Sequence, residues 1–199
     1  MVMMIALLAL LSCPMQDKDP ATTKEAMKRI QFLVGEWKAT WSPEGKDAKD
    51  SWEEMQSWEY KIDKEEYALQ FTVKDAKRFK DGVLSYDLKK KTYRLEMTRA
   101  DDKKAVFEGK LAGKDFVLDQ VVEEKAAQER LSLNFLRDNR FIGDMQRREA
   151  GGKAWAPTAS IQYTKQGVPF VRSEAPKCVV TGGTGSIEVA YSGKTYYVC

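Results

Sequence analysis

Hydrophobic side chains fall at every second position through most of this chain. Trp37, Ala39 and Trp41 alternate with Glu36, Lys38 and Thr40, and Trp58, Tyr60 and Ile62 with Glu59 and Lys61. Tyr67, Leu69, Phe71 and Val73 form the cleanest stripe, opposite Glu66, Ala68, Gln70 and Thr72. Further stripes follow at Leu84–Tyr86–Leu88, Tyr93–Leu95–Met97, Phe107 and Leu111, and Phe116 and Leu118. The last are Leu131–Leu133–Phe135, Phe141 and Met145, and Ile161 and Tyr163. One apolar flank and one charged flank is the signature of an antiparallel sheet with a single buried side. Asp81-Gly82, Ala112-Gly113-Lys114, Asp138-Asn139 and Gly151-Gly152 punctuate the stripes with turn chemistry, and Lys89-Lys90-Lys91 reads as a solvated hairpin tip.

Roughly eight to ten strands joined by tight hairpins make a meander, and a meander with one buried face most simply closes on itself, because closure removes its edges. The expected fold is therefore all-β: an antiparallel up-and-down barrel with a short N-terminal helix. That helix is expected after Pro20, with Thr22 or Thr23 as N-cap and Glu25 in its first turn. Ala26, Ile30, Leu33 and Val34 sit at helical spacing, and Gly35 ends it.

The two ends of the chain depart from this pattern. Met1 to Leu11 is almost wholly apolar and is followed by Gln16-Asp17-Lys18-Asp19-Pro20. Such a run is too short to span a bilayer and matches the core of a secretory signal peptide, although the usual preceding positive charge is missing. Residues 1–19 are accordingly expected to be a leader and residues 20–165 the barrel. Residues 166–177, with two prolines and a glycine, read as a linker, and residues 178–199 as a separate small segment with a β-hairpin. The expected location is exported, periplasmic or cell-envelope.

Charge and composition narrow the function. Lys and Arg total 33 against 30 for Asp and Glu, a net charge of +3, with the two signs interspersed. No basic block follows a phosphate backbone, so nucleic acid is not an expected partner. Histidine is absent, which excludes Ser-His-Asp and Cys-His nucleophile systems. Carboxylate pairs such as Glu53-Glu54 and Asp101-Asp102 are adjacent on strands, so their side chains point to opposite faces and cannot readily share a proton. The chain is expected to bind rather than to catalyse.

Phe32-Leu33-Val34-Gly35-Glu36-Trp37, a helix leading into Gly-x-Trp and the first strand, resembles the opening of lipocalin-like and fatty-acid-binding-like barrels. The stretch from Asn139-Arg140-Phe141 to Tyr163-Thr164-Lys165, with Trp155, resembles the end of an uncharacterised bacterial family of such barrels. The resemblance implies that Trp37 closes one end and that the interior holds a small apolar or amphiphilic ligand, unless side chains fill it. Related haem-binding barrels use a His ligand, which this chain lacks. The candidate ligand-binding residues are Trp37, Trp58, Tyr60, Tyr67, Phe71, Tyr86, Tyr93 and Phe135, with Arg99 or Arg130 placed to hold a ligand carboxylate.

The cysteines suggest further chemistry. Leu10-Leu11-Ser12-Cys13 resembles a bacterial lipobox, which would make Cys13 a lipidation site and give a lipid anchor as the membrane contact. Cys178-Val179-Val180-Thr181-Gly182 and Gly193-Lys194-Thr195-Tyr196-Tyr197-Val198-Cys199 resemble the start of a YHS- or TRASH-like metal-binding module. That resemblance makes Cys178 and Cys199 ligands for a soft metal, zinc or copper, although further cysteines of the module are missing. Two thiolates fall short of a closed four-ligand zinc site. A disulfide between them is the alternative.

Overall fold

In the computed structural model of the chain, the described residues are 19–123, 126–137, 139–167, 180, 187–191 and 194–198. They fall in two compact units, divided between Gln166 and Gly167. In the first unit ten strands close into one antiparallel barrel. They are β1 (Gly35–Pro43), β2 (Trp52–Asp63), β3 (Glu66–Lys74), β4 (Phe79–Asp87) and β5 (Thr92–Arg99). The circuit continues through β6 (Lys104–Ala112), β7 (Asp115–Gln120), β8 (Gln128–Arg137), β9 (Arg140–Arg148) and β10 (Ala156–Lys165). Each pairs with its neighbour in sequence, and β10 returns to β1 with Trp41 opposite Ile161 and Trp37 opposite Lys165. In the second unit, β11 (Ile187–Tyr191) and β12 (Lys194–Val198) form a two-stranded antiparallel hairpin.

The period-two stripes face the bore, as an all-β barrel requires. Leu69, Phe107, Phe116, Leu118, Met145 and Ile161 are completely buried. The outward positions carry cross-strand ion pairs, such as Lys38–Glu53 at 2.8 Å and Arg94–Glu108 at 2.6 Å.

The helix plugs one end. Helix α1 (Thr23–Arg29) is capped by Thr22, whose hydroxyl accepts from the Glu25 N–H, while the Glu25 carboxylate accepts from the Ala21 N–H. It is shorter than the spacing suggests, and a 3-10 turn at Gln31–Leu33 carries the rest of the apolar pattern. Ala26, Met27, Ile30 and Leu33 are all completely buried. Gly35 then takes φ +119°, a backbone conformation other residues rarely adopt, and turns the chain into β1. This places Trp37 under the helix, its indole N–H donating to the Leu33 carbonyl at 2.7 Å and its ring edge-on to Phe141.

One expected turn lies elsewhere. Asp81-Gly82 is inside β4, and the chain reverses before it, where Asp75 has φ +56°. Gly82 faces the bore instead; a Cβ there would stand 2.4 Å from the Phe71 ring, so glycine makes room for a large neighbour across the sheet.

Candidate functional site

The two ends of the bore differ. At the helix end the side chains fill the space: Tyr86, Tyr93 and Phe116 pack edge to face, and the Tyr93 hydroxyl donates to the Ala26 carbonyl at 3.0 Å. Phe135 lies against Phe32 and Phe141. Between the plug and the other end, here called the rim, lies a cavity. Its lining runs from Leu33, Trp58, Phe71 and Phe116 to Trp41, Phe79, Met97, Leu131, Met145 and Ile161, with Glu54, Gln56 and Tyr163 as its polar members. Its volume is about 40 Å³, small for a ligand site.

Strand β2 supplies the polar side. It pairs with β1 from Trp41–Trp52 to Gly35–Trp58, which turns Glu54, Gln56 and Trp58 into the bore and Glu53 out to Lys38. Glu54 is 4% exposed. Its Oε1 accepts from the Lys77 backbone N–H at 2.7 Å and from the Trp52 indole N–H at 3.0 Å, tying the β3–β4 connection to β2. The Tyr163 hydroxyl bonds with the Gln56 side chain; burial first, then the nearby Glu54 charge, pushes its pKa well above the usual tyrosine value. Gly143 gives the Tyr163 ring its space, since a Cβ there would come within 3.1 Å of it. Two further groups are unmet. The indole N–H groups of Trp41 and Trp58 are buried with no hydrogen-bond partner among the described residues.

Salt bridges span the rim. Arg78 and Arg99 both bind Glu129, at 2.7 and 2.5 Å, and these three side chains are mostly buried. The two guanidinium groups lie 5.6 and 5.3 Å from the ring centre of Phe79, which lines the cavity. The link runs across the mouth from Arg78, just before β4, and from β5 to β8, so opening the bore at this end means parting it.

Only part of the expected site assembles. Trp58 and Phe71 line the cavity, stacked on each other with centroids 4.7 Å apart. Trp37, Tyr86, Tyr93 and Phe135 belong to the plug end. Tyr67 borders an outer groove with Thr23 and Lys24 rather than the bore. Tyr60 is 42% exposed: β1 ends opposite Trp58, so beyond that point β2 has no neighbour on one side to cover its inward flank. Arg130 faces outwards, where its fork holds Asp119 at 2.5 and 2.9 Å and its plane lies over Trp155. Arg99 reaches the rim but is engaged by Glu129, so neither arginine lies in the cavity wall. Trp41, Glu54, Gln56 and Tyr163 were not among the expected ligand residues. The available signal was two polar residues in register with Trp58 on an inward stripe.

Cys13, Cys178 and Cys199 lie outside the described residues. Among the described residues no three His, Cys, Asp or Glu side chains are grouped to hold a metal ion.

No protein-family model and no curated protein matches the chain. Solved structures do. One is the crystal structure of Rv2717c from M. tuberculosis, 11% identical, covering 71% of this chain and 97% of that one, with a TM-score of 0.45. Another is EF1p2_mFAP2b bound to DFHBI, 12% identical, covering 69% and 96%, with a TM-score of 0.31.

Proposed function

We propose that this chain is an exported, non-catalytic binding protein whose barrel takes one small, mostly apolar molecule in the cavity of its bore. The observation that carries the reading is a largely apolar void in the bore whose polar members are Glu54, Gln56 and Tyr163. An apolar cavity with a few convergent polar groups is the form small-molecule sites take. Met97 and Met145 on the wall are adaptable side chains that let a ligand larger than the void be seated. Export is supported by the apolar run Met1–Leu11 and the polar stretch after it. The size of the void, about 40 Å³, favours a second reading, a filled barrel whose role is structural.

A cavity-filling variant separates the two. Uncharged organic molecules of about four to eight heavy atoms are titrated while thermal stability and tryptophan fluorescence are followed. Binding at this site gives saturable stabilisation in the wild type that Leu131→Phe abolishes. No stabilisation by any of them, or equal stabilisation of both proteins, favours the structural reading.

A further inference from the structure

We infer that the β3–β4 connection, residues 75–78, is the door of the cavity: a small apolar molecule enters between β3 and β4 at the rim when Arg78 parts from Glu129, while the helix plug stays shut. This rests on the binding reading above and adds the route.

The sheet itself is open at this place. β3 runs to Lys74 and β4 begins at Phe79, yet their register extends only from Leu69 opposite Leu84 to Thr72 opposite Asp81. Val73 and Lys74 therefore face no residue of β4, and Phe79 and Lys80 none of β3. Side chains close the gap instead of a ladder. The Arg78 guanidinium lies 5.8 and 5.6 Å from the ring centres of Trp41 and Phe79, both in the cavity wall. The Lys77 ammonium lies 5.5 Å from the centre of the Trp52 ring, which stacks on Trp41. Trp52, Lys77, Arg78 and Arg99 also border an open groove at the rim. Arg78 thus borders the groove and lies against two residues of the cavity wall.

The ties that hold the connection down are polar. The Lys77 backbone N–H donates to Glu54 at 2.7 Å, the Arg78 carbonyl accepts from the Ala100 N–H at 2.9 Å, and the Arg78 side chain pairs with Glu129 at 2.7 Å. None of residues 75–78 is buried, so water can take over the broken bonds, and exchanging protein partners for water costs little. The plug offers no such exchange. Met27, Ile30 and Leu33 are completely buried, and moving them exposes apolar surface for which water is no substitute. Local opening falls to segments with few buried apolar groups, and here that is the connection. Glu54 lines the cavity and holds Lys77, which ties the door to the chamber behind it.

Dissolved ¹²⁹Xe reports the passage, because saturation transfer between bound and free xenon gives an exchange rate without a known ligand. Glu129→Gln and Arg78→Met, which keep most of the side-chain bulk, are expected to quicken exchange about fivefold to tenfold. Tyr93→Phe, which removes the plug's bond to Ala26, is expected to leave the rate within about twofold of the wild type. Amide hydrogen exchange separates a door from general loosening: in the two rim variants Lys77 and Ala100 should lose protection relative to Phe107 in β6 and Leu133 in β8. Unchanged xenon exchange in both rim variants, faster exchange in Tyr93→Phe, or equal loss of protection at all four amides overturns the inference and leaves the binding reading standing. No xenon uptake by the wild type overturns both.

Discussion

Replacing Glu54 separates what its carboxyl group does for the fold from what it does for the cavity. In Glu54→Leu the Lys77 backbone N–H and the Trp52 indole N–H, now bonded at 2.7 and 3.0 Å, lose their acceptor. Each stranded donor costs about 1–3 kcal/mol, the lower figure applying to a partly buried group that water can reach. Leucine recovers about 1–1.5 kcal/mol by burying apolar surface against an apolar wall. The net expectation is a loss of about 0.5–5 kcal/mol, towards the lower end because both donors are only partly buried. Glu54→Gln keeps an oxygen of the same reach and is expected to lose less than about 1 kcal/mol. Urea unfolding of the three proteins, compared at equal m-values, measures the difference. Hydrogen exchange of the Lys77 amide localises it, since protection should fall only in the leucine variant. Equal stability of Glu54→Leu and the wild type, or equal damage from glutamine and leucine, would refute the reasoning. The second result would mean that charge, rather than an acceptor in the right place, holds the β3–β4 connection.

Other expectations test other parts of the barrel. Gly109→Ala should destabilise far more than Gly143→Ala in the same assay, because its Cβ would stand 1.8 Å from the Val117 backbone oxygen, whereas at Gly143 the nearest atom is the Tyr163 ring at 3.1 Å. Glu129→Gln removes the charge that Arg78 and Arg99 share, so stability should fall by about 1–3 kcal/mol and ligand association and dissociation, followed by stopped flow, should both quicken. Burial pushes the Tyr93 pKa up to about 12 from 10.0. An unfolded tyrosine ionises near pH 10, so the stability tied to this proton is complete below pH 10 and is lost as pH rises from 10 through 12. Alkaline unfolding followed at 295 nm should therefore be shallower in Tyr93→Phe, although that variant starts less stable for want of the bond to Ala26.

The barrel was legible because its signal is repeated. Each of the ten apolar stripes falls on one strand, save Leu88 just past the end of β4, and a period of two leaves few alternatives once the inward faces are mostly apolar. The helix was legible through its cap at Thr22. The site was less so, because periodicity says which flank a residue takes but not where along the bore it falls. Tyr60 has the inward register of Trp58 and yet emerges into solvent, since β1 has already ended. Arg130 was misread for a different reason: Leu131 and Leu133 take the inward register of β8, which turns Arg130 out to Asp119. Glu54 illustrates the converse. A glutamate beside another glutamate looks like ordinary surface, and only the closure of β1 onto β2 turns it inwards, where the bonds to Lys77 and Trp52 keep it.

The cavity in the bore is tested most directly by crystals held under xenon pressure, because xenon enters apolar cavities without needing a polar partner. One ordered xenon is expected among Leu95, Met97, Leu131 and Ile161. A bore that takes up no xenon, or takes it up between Tyr86 and Tyr93 instead, would contradict the cavity from which the proposed function is drawn.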